Sequence, residues 1–193
     1  QIGQDINGEA AGDQSGNSVS ISSNGSIVAI SARFNDGKNS NSGHVRVFEN
    51  QNGTWVQIGQ DINGKDLSDQ SGNSVSISSN GSIVAIGASF NDGNGSISGH
   101  VRVFENQNGT WVQIGQDIIG EAAGDQSGNS VSISSNGSII AIGAPFNKDN
   151  GLSSGHVRIF ENQNGTWVQI GQDINGEAAG DQSGNSVSIS SNG

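Results

Sequence analysis

Histidine and aspartate are the residue types in this chain that could carry acid–base chemistry, and both recur at a fixed interval. A histidine next to a carboxylate can act as a general base when a nucleophile and a substrate pocket are also close by. Three identical copies instead favour a structural hydrogen bond that ties adjacent strands, because an enzyme seldom needs the same pair three times. We therefore predict no catalytic residues. The recurring residues are His44, His100 and His156, with Asp13, Asp69 and Asp125.

That interval belongs to a repeat that fills the chain. The string QIGQDI begins at residues 1, 57, 113 and 169, a period of 56 residues. Val19 and Ile21 alternate with serines, and this period of two is typical of β-strands. The first copy contains four such short apolar runs, at positions 17–22, 27–30, 44–48 and 55–62.

Asparagine–glycine pairs separate the runs within each copy. Asn24-Gly25 is expected to form a type I′ turn between the first two runs, and the 50–53 segment a slightly longer hairpin between the last two. The four runs and their turns predict that each copy forms a four-stranded antiparallel meander. Such a sheet needs neighbours on both faces, and radial stacking of four-stranded sheets gives an all-β propeller.

The predicted array consists of three blades and two partial ends. The blades span positions 13–62, 69–118 and 125–174, with partial-blade strands at 1–6 and 181–193. The open ends favour either a segment of a longer array or assembly with further copies of the chain. Arg46 and Glu49 are expected to form a surface ion pair near the third strand. The predicted core of the first copy comprises Val19, Ile21, Ala29, Val45, Val47 and Trp55, and the tryptophan recurs as Trp111 and Trp167.

Composition limits the function. The net charge of −11, with 7 Lys and Arg, argues against nucleic-acid binding, which needs clustered basic residues. No apolar run reaches the length of a membrane span, so we expect no membrane insertion. The chain has 0 cysteines, which excludes disulfides and thiolate metal sites. The acidic surface either keeps a secreted protein soluble or collects cations and basic partners.

Comparison of the copies shows where they vary. Copies one and two differ at positions 9–12, 31, 33, 38, 39 and 41, which fall in two loops expected on one face of the disc. The asparagine–glycine hairpins would lie on the other face. Binding would explain this variation, and so would drift in tolerant loops after duplication. The candidate ligand-binding residues are Glu9, Arg33, Asp36, Lys38, Lys65, Asp66, Leu67, Asp92, Ile97, Lys148 and Asp149.

The sequence predicts no cofactor and no metal ligands. The 22–25 turn has no carboxylate and should not bind calcium. The 35–42 loop and its counterparts offer Asn and Asp oxygens that could hold calcium weakly, although their spacing matches no standard calcium loop and Lys38 and Lys148 intrude.

Several motifs of the third copy resemble the FG-GAP repeat of integrin α-chain propellers and their bacterial and algal relatives. They are the 127–131 segment SGNSV, Gly143-Ala144-Pro145 and the 155–160 segment GHVRIF. The Gly-Ala-Pro tripeptide is Gly-Ala-Ser at 87–89 and Ser-Ala-Arg at 31–33. The resemblance implies a β-propeller, cell-surface adhesion or ligand capture, and often calcium held in blade loops.

These observations together predict a non-catalytic module located outside the cell or on its surface. It would bind a protein or a glycan at a surface. The alternative is a structural repeat protein that assembles into a filament, sheath or matrix through its open end strands.

Overall fold

The computed structural model describes residues 1–193 and is all-β. No helix in it is long and apolar enough to cross a membrane. The strands of the first repeat are β1 (Ser15–Ile21), β2 (Ile27–Ala32), β3 (His44–Gln51), β4 (Thr54–Gln57) and β5 (Ile62–Asn63). Those of the second are β6 (Ser74–Ile77), β7 (Ile83–Ala88), β8 (His100–Gln107), β9 (Thr110–Gln113) and β10 (Ile118–Ile119). Those of the third are β11 (Ser130–Ile133), β12 (Ile139–Ala144), β13 (His156–Gln163), β14 (Thr166–Gln169) and β15 (Ile174–Asn175).

Each repeat forms one antiparallel blade. In the first blade the order is β1-β2-β3-β4, and β5 also pairs with β3. The continuous fourth strand predicted at 55–62 is therefore wrong. The chain bends at Gly59 (φ 74°), where a Cβ atom would lie 2.8 Å from the backbone oxygen of Gly109 in the next blade. Close approach to that neighbour, at a backbone conformation that favours glycine, interrupts the strand.

The two turn predictions are corrected by the backbone. Asn52 (φ 53°) and Gly53 (φ 88°) form a two-residue β3–β4 turn with both positive angles of type I′. In the β1–β2 connection only Gly25 has a positive φ, because Asn24 Oδ1 accepts hydrogen bonds from the Ser26 amide and the Ser22 hydroxyl. This side-chain turn replaces the predicted type I′ turn.

Two apolar clusters join the blades. The alternation places Ala29, Val45 and Val47 on the side of the first blade that meets Val75 and Ile77 of the second. The same arrangement joins the second blade to the third. Burial of this apolar surface is the main force that holds the blades together.

Hydrogen bonds between glutamine and tryptophan add a polar contact at each junction. Gln60 Nε2 donates to the Trp111 backbone oxygen (2.8 Å), and the Trp111 amide donates to Gln60 Oε1 (3.1 Å). Trp111 Nε1 also donates to the Ile58 backbone oxygen. Equivalent contacts tie Gln4 to Trp55 and Gln116 to Trp167.

The outer faces of the array are open. Val19 and Ile21 are 55% and 57% exposed, whereas their counterparts Val75 and Ile77 are each 7% exposed. Among the residues described, no blade lies against Val19 and Ile21, so the prediction that they pack against a neighbouring blade is wrong. Residues 1–6 and 181–193 form no strand.

Candidate functional site

The varying loops of neighbouring blades come together at one end of the strands. The Gly64 amide donates to the Gly43 backbone oxygen (2.8 Å), and the Ser68 amide donates to that of Ser40 (3.0 Å). These bonds join the β2–β3 connection of the first blade to the β5–β6 connection. The 9–12 and 33–43 segments and their counterparts are here called the loop face. The asparagine–glycine turns lie at the opposite strand ends, so the variable segments share one surface.

Most candidate binding residues are exposed on the loop face. Arg33 and Ile97 are half-buried. Arg33 stacks on Phe34 with its guanidinium carbon 4.7 Å from the ring centre. A pocket of about 300 Å³ opens on this face in the second blade, and its lining includes Lys65, Asp66, Leu67, Asp92, His100 and Asp117. The exposed candidates are Glu9, Asp36, Lys38, Lys65, Asp66, Leu67, Asp92, Lys148 and Asp149.

The expected hydrogen bond between the recurring histidine and aspartate is not formed. Asp13 Oδ2 instead accepts from Asn35 Nδ2 (2.7 Å), which ties the loop before β1 to the β2–β3 connection. Asn91 and Asn147 donate in the same way to Asp69 and Asp125. The hydrogen-bond partner of each recurring aspartate is therefore this asparagine and not the histidine.

The histidine of the third blade faces carboxylates. His156 Nδ1 lies 3.8 Å from Glu121 Oε2 and 3.9 Å from both Asp149 Oδ2 and Asp173 Oδ2. Its side chain is 1% exposed, and neither ring nitrogen has a hydrogen-bond partner. Four groups capable of binding a metal ion therefore converge here. The four are called the blade-three cluster.

The first blade has a smaller version of this cluster. His44 Nδ1 lies 3.8 Å from Glu9 Oε2, and Asp61 completes a group of three. The position of Asp149 is taken by Gly37. Burial lowers the pKa of His44, although the charges of Asp61 and Glu9 oppose this effect. A lowered pKa favours the neutral imidazole, which has a free lone pair.

In the second blade a lysine replaces the glutamate. Lys65 Nζ lies 2.5 Å from Asp117 Oδ2. Burial lowers the pKa of His100 to about 4, and the nearby Arg102 adds to the shift. Burial would raise the pKa of Asp117, but hydrogen bonds from Lys65 and Gln113 outweigh burial and leave that pKa lowered. The repeat position that holds Glu9 in the first blade and Glu121 in the third therefore carries the ammonium group of Lys65 in the second.

Arginines pack beneath the clusters. Arg46 is buried and places NH1 3.5 Å from Glu9 Oε1, while NH2 donates to the Asn7 backbone oxygen (2.7 Å). Its guanidinium carbon lies 5.3 Å from the Phe48 ring centre. The prediction of an Arg46–Glu49 surface pair is therefore wrong, because β3 turns the arginine toward the blade interior.

Side-chain oxygens of the two loops considered for calcium already accept hydrogen bonds from groups within the same loop. Asn35 Oδ1 accepts from the Gly37 amide (2.7 Å) and Asp36 Oδ1 accepts from the Asn41 amide (2.7 Å). Asn24 Oδ1 accepts three hydrogen bonds within its turn. In the third blade, Asp149 of the corresponding loop faces His156 together with Glu121 and Asp173.

Sequence reasoning missed the blade-three cluster, although it proposed Glu9 and Asp149 as binding residues. Glu121, Asp149, His156 and Asp173 come from four separate segments of one repeat. One signal was present in the copies themselves. The repeat position that holds Glu9 and Glu121 holds Lys65 in the second copy. A change from a negative to a positive side chain at one repeat position indicates that the charge around that position differs between blades.

Two segments of the chain match the sequence profile of the FG-GAP repeat, at residues 7–48 and 120–160. These two matches are consistent with an FG-GAP repeat family. The second copy, between the matched segments, forms a blade with the same strand pairing. No curated protein matches the chain.

Solved propeller-like structures resemble this chain in fold. A protein of Bacteroides fragilis assigned as a 6-phosphogluconolactonase matches with a TM-score of 0.56 at 18% identity, over 81% of this chain and 38% of its own. A protein of Bacteroides uniformis with the same assignment gives 0.55 at 17% identity, over 81% and 40%. The chain thus spans about two fifths of their length. At these identities the likeness shows the fold alone.

Proposed function

We propose that this FG-GAP repeat array is a non-catalytic binding module, located outside the cell or on its surface, that binds a protein or a glycan through its loop face. The observation that carries the proposal is that eight of the nine positions at which copies one and two differ lie in the loops of that face, while the ninth, Ser31, is buried in β2. The variable segments are hydrogen-bonded to one another on a rigid set of blades. Loops held by a rigid scaffold are the usual place for binding residues.

The charge of the loop face changes from blade to blade. The segment 9–12 reads Glu-Ala-Ala-Gly, and its counterpart 65–68 reads Lys-Asp-Leu-Ser. Leu67 is 66% exposed and lies beside the pocket of the second blade. Each blade would therefore offer a partner a different combination of charged and apolar groups.

The test is a binding screen followed by a loop exchange. The probes are an immobilised panel of oligosaccharides and purified matrix proteins. Every probe that binds is then measured with the Lys65→Glu, Asp66→Ala, Leu67→Ala triple variant, which takes the residues of the first copy. We expect weaker binding and a stability loss no larger than about 1 kcal/mol, the most expected from losing the Lys65–Asp117 pair, because the other two changes are in an exposed loop.

The matched control alters the opposite face. Asn52→Asp and Asn108→Asp change the charge there and keep a residue that tolerates positive φ. These variants should bind as the unaltered chain does. Binding that survives the loop exchange but is lost in the two turn variants would move the functional face to the hairpins and overturn the proposal.

The second candidate function is assembly of copies, favoured by the open outer faces of the array. Val19 and Ile21 at one end and Ile174 (57% exposed) at the other are exposed. Their counterparts Val75, Ile77 and Ile118 are buried where two blades meet inside the chain. A second copy could cover the exposed residues with the same contacts. Light scattering should then show mass rising with concentration, and Val19→Ser should reduce that rise. A constant mass at all concentrations would rule out this alternative.

We propose no catalytic activity for the array. The arginines that could bind a phosphorylated sugar are buried and directed at backbone oxygens, as Arg46 is at Asn7, Arg102 at Asn63 and Arg158 at Ile119. Hydrolysis of 6-phosphogluconolactone by the purified chain should equal the buffer rate. A rate above it that disappears in His100→Gln would contradict this part of the proposal.

A further inference from the structure

The blade-three cluster contains a buried polar group that the fold does not satisfy. His156 is 1% exposed, and a buried imidazole nitrogen without a partner costs free energy. Nδ1 points at three carboxylate oxygens 3.8–3.9 Å away, beyond hydrogen-bond length. A group placed between these atoms would satisfy all four at once.

The charges of the cluster indicate what that group is. Glu121, Asp149 and Asp173 bring three carboxylates to one buried imidazole. Arg158 NH1 approaches only the second oxygen of Glu121, at 3.5 Å, and leaves Oε2 facing the histidine. Three carboxylates and one guanidinium leave an excess of negative charge, which favours a cation.

The second blade supplies an independent observation. There the glutamate is replaced by Lys65, whose ammonium group binds Asp117, the counterpart of Asp173. One repeat therefore carries its own cation at the position where the other two gather acidic side chains. The blade-three cluster lacks this lysine and has in addition Asp149, where both other blades have glycine.

The dimensions suit a small divalent ion. The four ligand atoms lie within 4.8 Å of one another. Metal–ligand bonds of about 2.0–2.2 Å set tetrahedral ligand atoms roughly 3.4 Å apart. The Nδ1–oxygen separations of 3.8–3.9 Å must contract by about 0.5 Å to reach that value, and the carboxylate oxygens, which lie within 4.8 Å of one another, must also move together on binding. The carboxylates are 22–52% exposed, which gives the ion a path from solvent.

We propose that Glu121, Asp149, Asp173 and Nδ1 of His156 bind a divalent transition-metal ion of the zinc class. One imidazole and three carboxylates match the ligands of Zn²⁺, whereas calcium takes oxygen ligands alone. The three-ligand cluster of Glu9, His44 and Asp61 binds the same ion more weakly, and the second blade does not bind it. The site is independent of any partner on the loop face.

The primary test is equilibrium dialysis of the EDTA-treated full chain against ZnCl₂, with metal analysis. We expect one tight Zn²⁺ per chain and a weaker second one, with CaCl₂ failing to compete at equal concentration. Zn²⁺ should shift the NMR signals of the His156 ring. No bound Zn²⁺, or equal competition by Ca²⁺, overturns the proposal.

The repeats provide matched variants. Glu121→Lys, the residue of the second copy, should abolish the tight site, while Glu177→Lys makes the same charge change at a repeat position with no histidine beside it and should leave the site intact. Asp149→Gly should weaken the site by more than about tenfold, since even outer-shell partners of a metal are worth that much. Melting in EDTA verifies that each variant folds. Equal loss in the Glu177 and Glu121 variants would overturn the assignment.

A gain of binding completes the test. Lys65→Glu with Gly93→Asp gives the second blade the residues of the third, and Asp149 shows that an aspartate is accommodated at that repeat position. The double variant should bind one more Zn²⁺ per chain than the unaltered protein. An unchanged stoichiometry would show that these residues do not form the site.

Discussion

Lys65 Nζ lies 2.5 Å from Asp117 Oδ2, where the first and third blades present a glutamate to the corresponding aspartate. The lysine is 45% and the aspartate 17% exposed, so solvent screens the pair. The same repeat position therefore carries a negative side chain in the first and third blades and a positive one in the second, on the same backbone fold.

The Lys65→Met variant measures what this ion pair contributes. It removes a hydrogen bond that lowers the pKa of Asp117, while burial, which raises that pKa, remains. We expect the Asp117 pKa to rise in a carbon-detected NMR titration. The stability loss should stay below about 1 kcal/mol, as for most exposed pairs. An unchanged Asp117 pKa would show that the lysine does not hold this position in solution.

Ile97 is a strained residue of the loop face. It has φ 56°, a backbone region unfavourable for β-branched side chains, whereas its first-copy counterpart is Asn41 at φ 51°. Ile97→Asn should stabilise the chain by on the order of 1 kcal/mol in urea unfolding. The reciprocal Asn41→Ile should destabilise it by a similar amount. Equal stability of all three proteins would show that the loop relaxes the strain.

The Gln60–Trp111 contact should stabilise the junction between blades one and two. Gln60→Ala removes two hydrogen bonds at 2.8 and 3.1 Å and should cost about 1–2 kcal/mol. Gln172 occupies the same repeat position with no tryptophan to bind, so Gln172→Ala is the matched control and should cost little. Similar losses in both variants would place the effect in the local loop and not in the blade junction.

Stability should depend on pH through His100. Its pKa of about 4 in the folded chain lies below the ordinary 6.5, mainly because of burial. The unfolded chain therefore takes up a proton first as pH falls. The contribution is complete above pH 6.5 and is lost between 6.5 and 4, at most roughly 3 kcal/mol.

The readout for His100 is the slope of unfolding free energy against pH. His100→Gln should flatten this slope between pH 4 and 6.5, whatever its effect at neutral pH. A slope identical to that of the unaltered chain would mean that His100 titrates normally in the fold.

Local patterns determined much of the fold. The alternation of Val45 and Val47 with larger or polar neighbours predicted both the strand and its buried side, and the structure places both residues in the first cluster. The same reasoning failed for Val19, whose pattern matches that of Val75. Burial at this position depends on a neighbouring blade, which no local pattern can report.

The site was less predictable than the fold. Asn24-Gly25 and Asn52-Gly53 are the same dipeptide, but serine hydroxyls around Asn24 redirect the first turn. His156 and Glu121 meet only because β13 begins beside the loop that precedes β11. Contacts between separate segments are set by tertiary packing, so the sequence could predict which loops share a face and not the cluster within that face.

Three blades with one backbone differ in a charged cluster on the loop face, and anomalous X-ray diffraction at the zinc edge would locate any metal ion bound there. In crystals soaked with ZnCl₂ we predict a strong peak among Glu121, Asp149, His156 and Asp173. A weaker peak should appear beside His44, and none beside Lys65. A peak at Lys65, or none at His156, would show that the charged side chains of the blades do not determine zinc binding.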